Sequence, residues 1–305
     1  MTIHLGQQSL VMSWGQWRAQ EAQVNDVGVV KVPLLPAPSF KLDTETIYNA
    51  LSEQSNIKMV CICSPGNPTG STVRKEDVNK ILAHPTWNGV VILDETYIDY
   101  SSKTTSLAEW VTEWQNLVIV QTLSKSFGMA GIRQVWRASI RGDASRPPAP
   151  QPQHNLQHPE PNPLVIMADN VAKTAAQRNR LIRDMTQIKG VGRLRGGTEA
   201  NFLLFEILDQ YGQPSNAAAC AVYKCLLNKR GIVTRFRGED HGCHGCLRIT
   251  IGTEDEMASF LQALNLTLKE VHKTGSSSGA RGGGVVNGNG LNWPQEQKPG
   301  QHQTS

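Results

Sequence analysis

No stretch of this sequence approaches the roughly eighteen consecutive apolar residues that a membrane-crossing helix needs. No basic segment followed by an apolar core opens the chain either, so neither a span nor a secretory leader is expected. Cysteine is sparse: six in 305 residues, without even spacing, which reads as reduced thiols of an intracellular protein rather than a disulfide framework. An excess of one charge is also lacking. Lys and Arg number 30 against 26 Asp and Glu, a formal charge of +4 that is too small and too evenly spread for a nucleic-acid binder. Any anion site must therefore be local. The expectation is a cytoplasmic protein without nucleic-acid or membrane partners, long enough for two modest domains.

What is present is an alternation of strand and helix signals over 57–133, the order of a parallel α/β sheet. Residues 57–63 form an apolar run, SPGNPTGS supplies a turn, and a helix through Val78, Ile81 and Leu82 follows. Residues 90–93 and 117–120 are two further buried strands, their unbroken hydrophobicity suiting a sheet covered on both faces. Between them, Ser106 and Glu109 make a capping-box pattern, and Leu107, Trp110, Val111 and Trp114 lie on one helical face, which predicts an α-helix with Trp110 and Trp114 in the core. Residues 134–163 break the order, since RPPAPQPQHNLQHPEPNP has almost nothing apolar and predicts an unstructured insert. A helix over about 168–188 follows. Then comes a small α+β unit: strands at 201–208, 232–236 and 246–251, a helix ending at Gly231 as its left-handed cap, and a last helix opened by Thr253 and Glu256. The Gly, Ser, Asn and Gln composition after Thr274 predicts a disordered tail.

The chemistry sits where the strands end. Asn67 follows the first, Asp94 and Tyr97 the second, Ser124 and Lys125 the third. Right-handed parallel crossovers put those ends on one rim, where open α/β sheets bind ligands, and the spacings match units of roughly thirty residues each. An amine, a carboxylate, a phenol, a hydroxyl and an amide together suit an aromatic aldehyde cofactor with a ring nitrogen and a phosphate. Lys125 would bond the aldehyde carbon and later move a proton, and Asp94 would hold the ring nitrogen protonated.

SPGNPTG, LDETYIDY and SKSFGMAGIR resemble, in order and spacing, three signature stretches of the fold-type-I, class I and II aminotransferases that use pyridoxal 5'-phosphate. GGTEANFLLFEIL and GIVTRFRGEDHGCHGCLRITIGTEDE resemble the small domain of the histidinol-phosphate aminotransferases among them. The resemblance implies an α/β fold with a parallel-sheet large domain and a smaller α+β domain. It implies that Asn67 and Tyr97 bond the cofactor's phenolic oxygen, that Asp94 pairs with its ring nitrogen, that Ser124 and Arg133 hold its phosphate, and that Lys125 is the catalytic lysine. Arg248 matches the family's substrate-binding arginine, and Arg235 an arginine that contacts the substrate phosphate. The activity implied is amino transfer between histidinol phosphate and a 2-oxo acid such as 2-oxoglutarate, in histidine biosynthesis, by a homodimer acting on small-molecule amino and oxo-acid substrates. Another class I/II aminotransferase, or an inactive fragment of one, is the alternative.

The same residues have plainer readings. Asp94 and Glu95 could end a magnesium-binding strand of a nucleotide hydrolase, but GNPTGS lacks the lysine of a phosphate loop. HGCHGC offers His241, Cys243, His244 and Cys246 without a second ligand pair, so a hairpin loop is expected there and no metal site. Cys61 and Cys63 read as small core residues, and Arg193 and Arg195 as solvated charges. The resemblance runs from about Ala22 to Arg133 and resumes from about Ala168 to Val271, with the family's leading segment and the strand after Arg133 unmatched. The expected layout is an unmatched leader over 1–21, a partial cofactor-binding domain over 22–133, the insert over 134–163, a C-terminal small domain over 164–272 and a tail over 273–305, that is, an N-terminally truncated and interrupted member of the family.

Overall fold

The computed structural model describes residues 9–13, 28–132, 135–138 and 162–278. Its first sheet contains β1 (Ser9–Ser13), β2 (Gly28–Lys31), β3 (Ile57–Cys63), β4 (Val90–Asp94), β5 (Leu117–Thr122) and β6 (Val135–Ala138), in the order β2-β1-β3-β4-β5-β6. All neighbours are parallel except β6, which runs antiparallel along β5. Helix α1 (Thr44–Glu53) leads into β3, and α2 (Lys75–Leu82) connects β3 to β4. Asp43 caps α1 by accepting from the Thr46 N–H at 3.1 Å. One apolar cluster joins these layers: Ile47 and Leu51 of α1, Val78 and Ile81 of α2, and Val60, Ile62, Val91, Leu93, Leu117 and Ile119 of the strands. Among the described residues no helix is long and apolar enough to cross a membrane.

The second sheet is antiparallel, β7 (Val191–Arg195), β8 (Phe202–Ile207), β10 (Cys246–Thr250) and the short β9 (Arg235–Phe236), in the order β7-β8-β10-β9. Helices α3 (Pro163–Met185), α4 (Asn216–Arg230) and α5 (Glu254–Ser278) complete the unit. Leu203, Phe205, Ile207, Leu247 and Ile249 pack with Leu181, Val222, Leu226, Phe260 and Leu264. Gly231 closes α4 with φ +66°, a left-handed cap that a Cβ would disfavour. At α5 the capping box forms as its pattern predicts, the Thr253 N–H donating to Glu256 and the Glu256 N–H to the Thr253 hydroxyl.

Several expectations differ from what is found. Ser9–Ser13 lies in the expected leader yet forms a strand inside the sheet, and Val135–Ala138 lies in the expected insert yet forms its edge. Backbone pairing accounts for both: β1 satisfies both flanks of the ladder between β2 and β3, and β6 pairs its inner flank with β5, whatever their side chains. The segment after Ser106 is not an α-helix but a 3₁₀ turn, Ala108–Thr112. Its capping serine has a tertiary partner instead. Ser106 donates to buried Glu95, whose other oxygen accepts from the Leu107 N–H at 2.8 Å, so the expected Glu109 bond is not made. Leu107 and Val111 are buried, while Trp110 and Trp114 pack on the core only in part. Helix α3 begins at Pro163, α5 extends to Ser278, and β9 is shorter than 232–236. Arg193 and Arg195 are not simply solvated: both pair with the nearly buried Glu206 on β8, at 3.0 and 3.3 Å.

The two sheets are clasped by backbone. Gly197 donates to the Thr69 carbonyl at 2.9 Å and Glu199 to that of Gly70 at 3.1 Å. A Cβ on Gly197 would stand 2.5 Å from the Gly70 oxygen, which no side chain tolerates. Gly197→Ala should therefore separate the clasp and lower stability by about 1–3 kcal/mol, read as a lower urea midpoint. An unchanged midpoint would show that the clasp carries no stability.

Candidate functional site

The loop SPGNPTG leaves β3 under tight backbone control. Ser64 donates its N–H to the Asp94 carbonyl at 2.9 Å, Gly66 to that of Ser71 at 2.8 Å, and Gly70 to that of Gly66 at 2.7 Å. This places Asn67 at the carboxyl end of the sheet, where its Oδ1 accepts from Arg248 Nη1 at 2.6 Å. That bond orients the amide, leaving its two N–H donors turned away from the cation. The guanidinium of Arg248 lies 5.0 Å from the Phe202 ring centroid. Phe202 in turn meets the Tyr97 ring edge-on at 5.1 Å, and Lys125 Nζ sits 5.4 Å from that tyrosine ring.

Asp94 ends β4, paired in register with Cys63 on one side and Val120 on the other. Its Oδ1 accepts from the Thr96 N–H and hydroxyl, and its Oδ2 lies 4.0 Å from the Cys63 sulfur. Burial pushes the Tyr97 phenol above its ordinary value; the Arg248 charge works the other way, and the Asp94 charge adds to the rise. The phenol therefore stays protonated and can donate. After β5, the Thr122 hydroxyl donates to Ser124 Oγ at 2.9 Å, and the Gly128 N–H donates to the Lys125 carbonyl at 3.1 Å, closing the turn that presents the lysine. Ser126, buried beside Lys125, donates to Asp99.

Asn67, Asp94, Tyr97 and Lys125 thus share one rim, with Arg248 reaching it from the second sheet. Ser124 lies in the same turn as the lysine. Arg235 is exposed at the sheet edge, where its Nη1 donates to the Thr234 carbonyl at 3.3 Å. Arg133 lies outside the described residues. The HGCHGC segment is a turn with Gly242 and Gly245 at positive φ, and burial pushes the Cys243 and Cys246 thiols up to about 12.

Sequence reading misses Phe202, the ring that couples Arg248 to Tyr97, because nothing local separates it from other core residues of its strand. It also misses Glu199 and Arg237. Arg237 has a legible signal, since it lies two residues from Arg235 and therefore on the same strand face.

A mostly parallel open sheet whose strand ends gather an amine, a carboxylate, a phenol and an amide, clasped to a smaller antiparallel unit carrying an arginine, is the fold-type-I architecture. The comparisons agree. Residues 14–140 match the family Aminotransferase class I and II, a stretch that begins inside the expected leader and runs past Arg133. The histidinol-phosphate aminotransferase of Schizosaccharomyces pombe is 41% identical over 271 residues, covering 85% of this chain and 70% of that protein. That of Candida maltosa is 36% identical over 262 residues, covering 83% and 67%. Among solved structures, a histidinol-phosphate aminotransferase from Clostridium acetobutylicum superposes with TM-score 0.68 at 20% identity, covering 88% of this chain and 80% of that one. A second, from Sinorhizobium meliloti in complex with pyridoxal-5'-phosphate, gives 0.64 at 21%, covering 86% and 71%. The chain belongs to the class I and II aminotransferase family, and within it resembles the histidinol-phosphate aminotransferases.

Glu199 ties the rim's two sides together. It is buried and accepts from the Ser102 N–H at 2.8 Å and the Ser101 hydroxyl at 3.0 Å, and pairs with Lys103 at 3.1 Å. Burial alone raises its pKa, but the bonds from Ser102, Lys103, Thr198 and Ser101 outweigh burial and bring it from 4.5 to about 2. A depressed carboxylate stabilises the fold above its unfolded value and loses that contribution as pH falls through the folded one. The stability difference between wild type and Glu199→Gln should thus be full above pH 4.5 and vanish toward pH 2, as followed by urea unfolding across that range. A difference independent of pH would refute this.

Proposed function

We propose that this chain is a pyridoxal-phosphate-dependent histidinol-phosphate transaminase, exchanging an amino group between histidinol phosphate and a 2-oxo acid such as 2-oxoglutarate, in histidine biosynthesis. The observation that carries the reading is the chain of contacts from Lys125 through Tyr97 and Phe202 to Arg248 and Asn67. It supports a site in which a cofactor's groups and a substrate's anion meet. The names of the similar curated proteins supply the substrate.

The donor set fits pyridoxal phosphate by its chemistry. Asp94, fixed by Thr96, is the carboxylate for the ring nitrogen. The Tyr97 phenol, kept protonated by burial, and the Asn67 amide, oriented by Arg248, are donors for the phenolic oxygen. Ser124 and Arg133 are assigned to the phosphate by resemblance, and Lys125 to the bond with the aldehyde carbon. When bound, the cofactor supplies an electron sink for the charge that develops at the amino-acid α-carbon. With the cofactor bound, the amine of Lys125 would take the proton from the substrate's α-carbon as general base and deliver it, as general acid, to the former aldehyde carbon, the shift that amino transfer requires. Arg248 is assigned to the anion each substrate carries, the carboxylate of the 2-oxo acid or the phosphate of histidinol phosphate, and Arg235 to the phosphate. A homodimer, from the family resemblance, and a cytoplasmic location, from the sparse cysteines and the lack of a leader or span in the sequence, complete the reading.

Purified protein given pyridoxal phosphate should acquire a visible absorbance band and turn over histidinol phosphate with 2-oxoglutarate. Lys125→Ala should abolish the band and lower turnover by at least roughly 10²–10⁴-fold. A band that survives the substitution, or a wild type that stays colourless, would remove Lys125 from its role.

A further inference from the structure

The register of β9 and β10 puts three guanidiniums on one face. Arg248 pairs with Arg235 and Leu247 with Phe236, and the Arg237 N–H donates to the Cys246 carbonyl at 2.9 Å, extending the ladder by one residue. Alternation then sends Arg235, Arg237, Cys246 and Arg248 to one side and Phe236 and Leu247 to the other. Leu247 and Phe236 pack in the core beneath α4 and α5, whereas Cys246 belongs to the cluster shared with the parallel sheet. The arginine face therefore looks toward the rim.

These cations are not equivalent. Arg235 is exposed to solvent. Arg237 is only 25% exposed, and its closest acid, Asp240, stands 3.6 Å away, too far for a hydrogen bond. The other acid there, Glu239, is exposed. The Nε atoms of both Arg237 and Arg248 are buried, and neither has a hydrogen-bond partner among the described residues. Arg178 and Arg195 share that state, so what distinguishes Arg237 and Arg248 is their common face and the shortage of acids beside them. The Arg237 charge is also felt at the Tyr97 phenol, together with that of Arg248.

We propose that Arg237, paired with Arg248, forms the inner anion subsite and is the residue that selects a phosphoryl dianion over a carboxylate, with Arg235 contributing from the outside. A carboxylate has two oxygens, which the fork of Arg248 satisfies alone; a phosphoryl group brings a third oxygen and a second charge, which need a second guanidinium. Asp240 is the counter-ion that holds Arg237 in place until the anion arrives. The proposal rests on the reading that this rim takes an anionic amine substrate.

The test uses protein saturated with pyridoxal phosphate, so that the cofactor's own phosphate site is filled, and titrates inorganic phosphate by calorimetry. Arg237→Gln should weaken phosphate by about ten- to a hundred-fold, the loss of a charge-assisted contact. It should raise KM for histidinol phosphate in step while changing KM for glutamate less. Arg235→Gln should cost less than Arg237→Gln, Arg237→Lys should restore part of the affinity, and Asp240→Asn should tighten phosphate. Unaltered phosphate affinity in Arg237→Gln, a larger loss in Arg235→Gln, or a wild type that binds no phosphate would overturn the proposal. If phosphate binds as described but histidinol phosphate is not turned over, the assigned activity falls and the subsite stands.

Discussion

Two backbone hydrogen bonds, from Gly197 to Thr69 and from Glu199 to Gly70, hold the loop after β3 against the strand-leading loop of the second sheet. The arrangement depends on glycine because the peptide planes approach too closely for a Cβ. Once that distance is fixed, β8 and β10 lie where Phe202 can meet Tyr97 and Arg248 can reach Asn67. A site divided between two sheets is only as well defined as the junction between them. Here the closest approach is main chain, whose geometry does not depend on rotamers, and side chains such as Glu199 and Arg178 reinforce it.

Buried charge is used in two ways. Glu95, Glu199 and Glu206 are each nearly inaccessible, and each is surrounded by donors: Ser106, Leu107 and Gln121 for the first, Ser101, Ser102 and Lys103 for the second, Arg193 and Arg195 for the third. Such acids fix loops, because removing either partner strands the other in a poorly solvated place. Arg178 does the same from α3, spanning the Tyr100 and Ala200 carbonyls at 3.2 and 3.1 Å. The arginines of β9 and β10 are treated differently, with fewer acids than cations around them. The contrast separates groups whose charge is satisfied within the architecture from those on which the proposed anion subsite rests.

The three central strands, the polar residues at their ends and the Gly231 and Thr253 caps were legible because each rests on a local pattern: a short apolar run, a turn motif, a capping pair. The failures share one cause, a partner distant in sequence. Ser106 looked like the start of an α-helix, yet Glu95 from the end of β4 captured it. Arg193 and Arg195 looked solvated, yet Glu206 on the adjacent strand holds both. Ser9–Ser13 lies in the stretch read as an unmatched leader, yet it becomes a strand by inserting between β2 and β3. Phe202 gave no hint of a role, because its importance lies in which ring and which cation it touches across the clasp.

The bond between Asn67 and Arg248 has a thermodynamic corollary. One amide has its oxygen committed to the cation and its nitrogen turned elsewhere, so an anion that draws charge from Arg248 also alters how firmly that amide is held. Whatever ligand leans on the far side of Asn67 then shares a coupling free energy with the anion, and reciprocity requires each to change the other's affinity by the same factor. On the proposed reading, the two halves of the crevice would be linked equilibria rather than independent docking points.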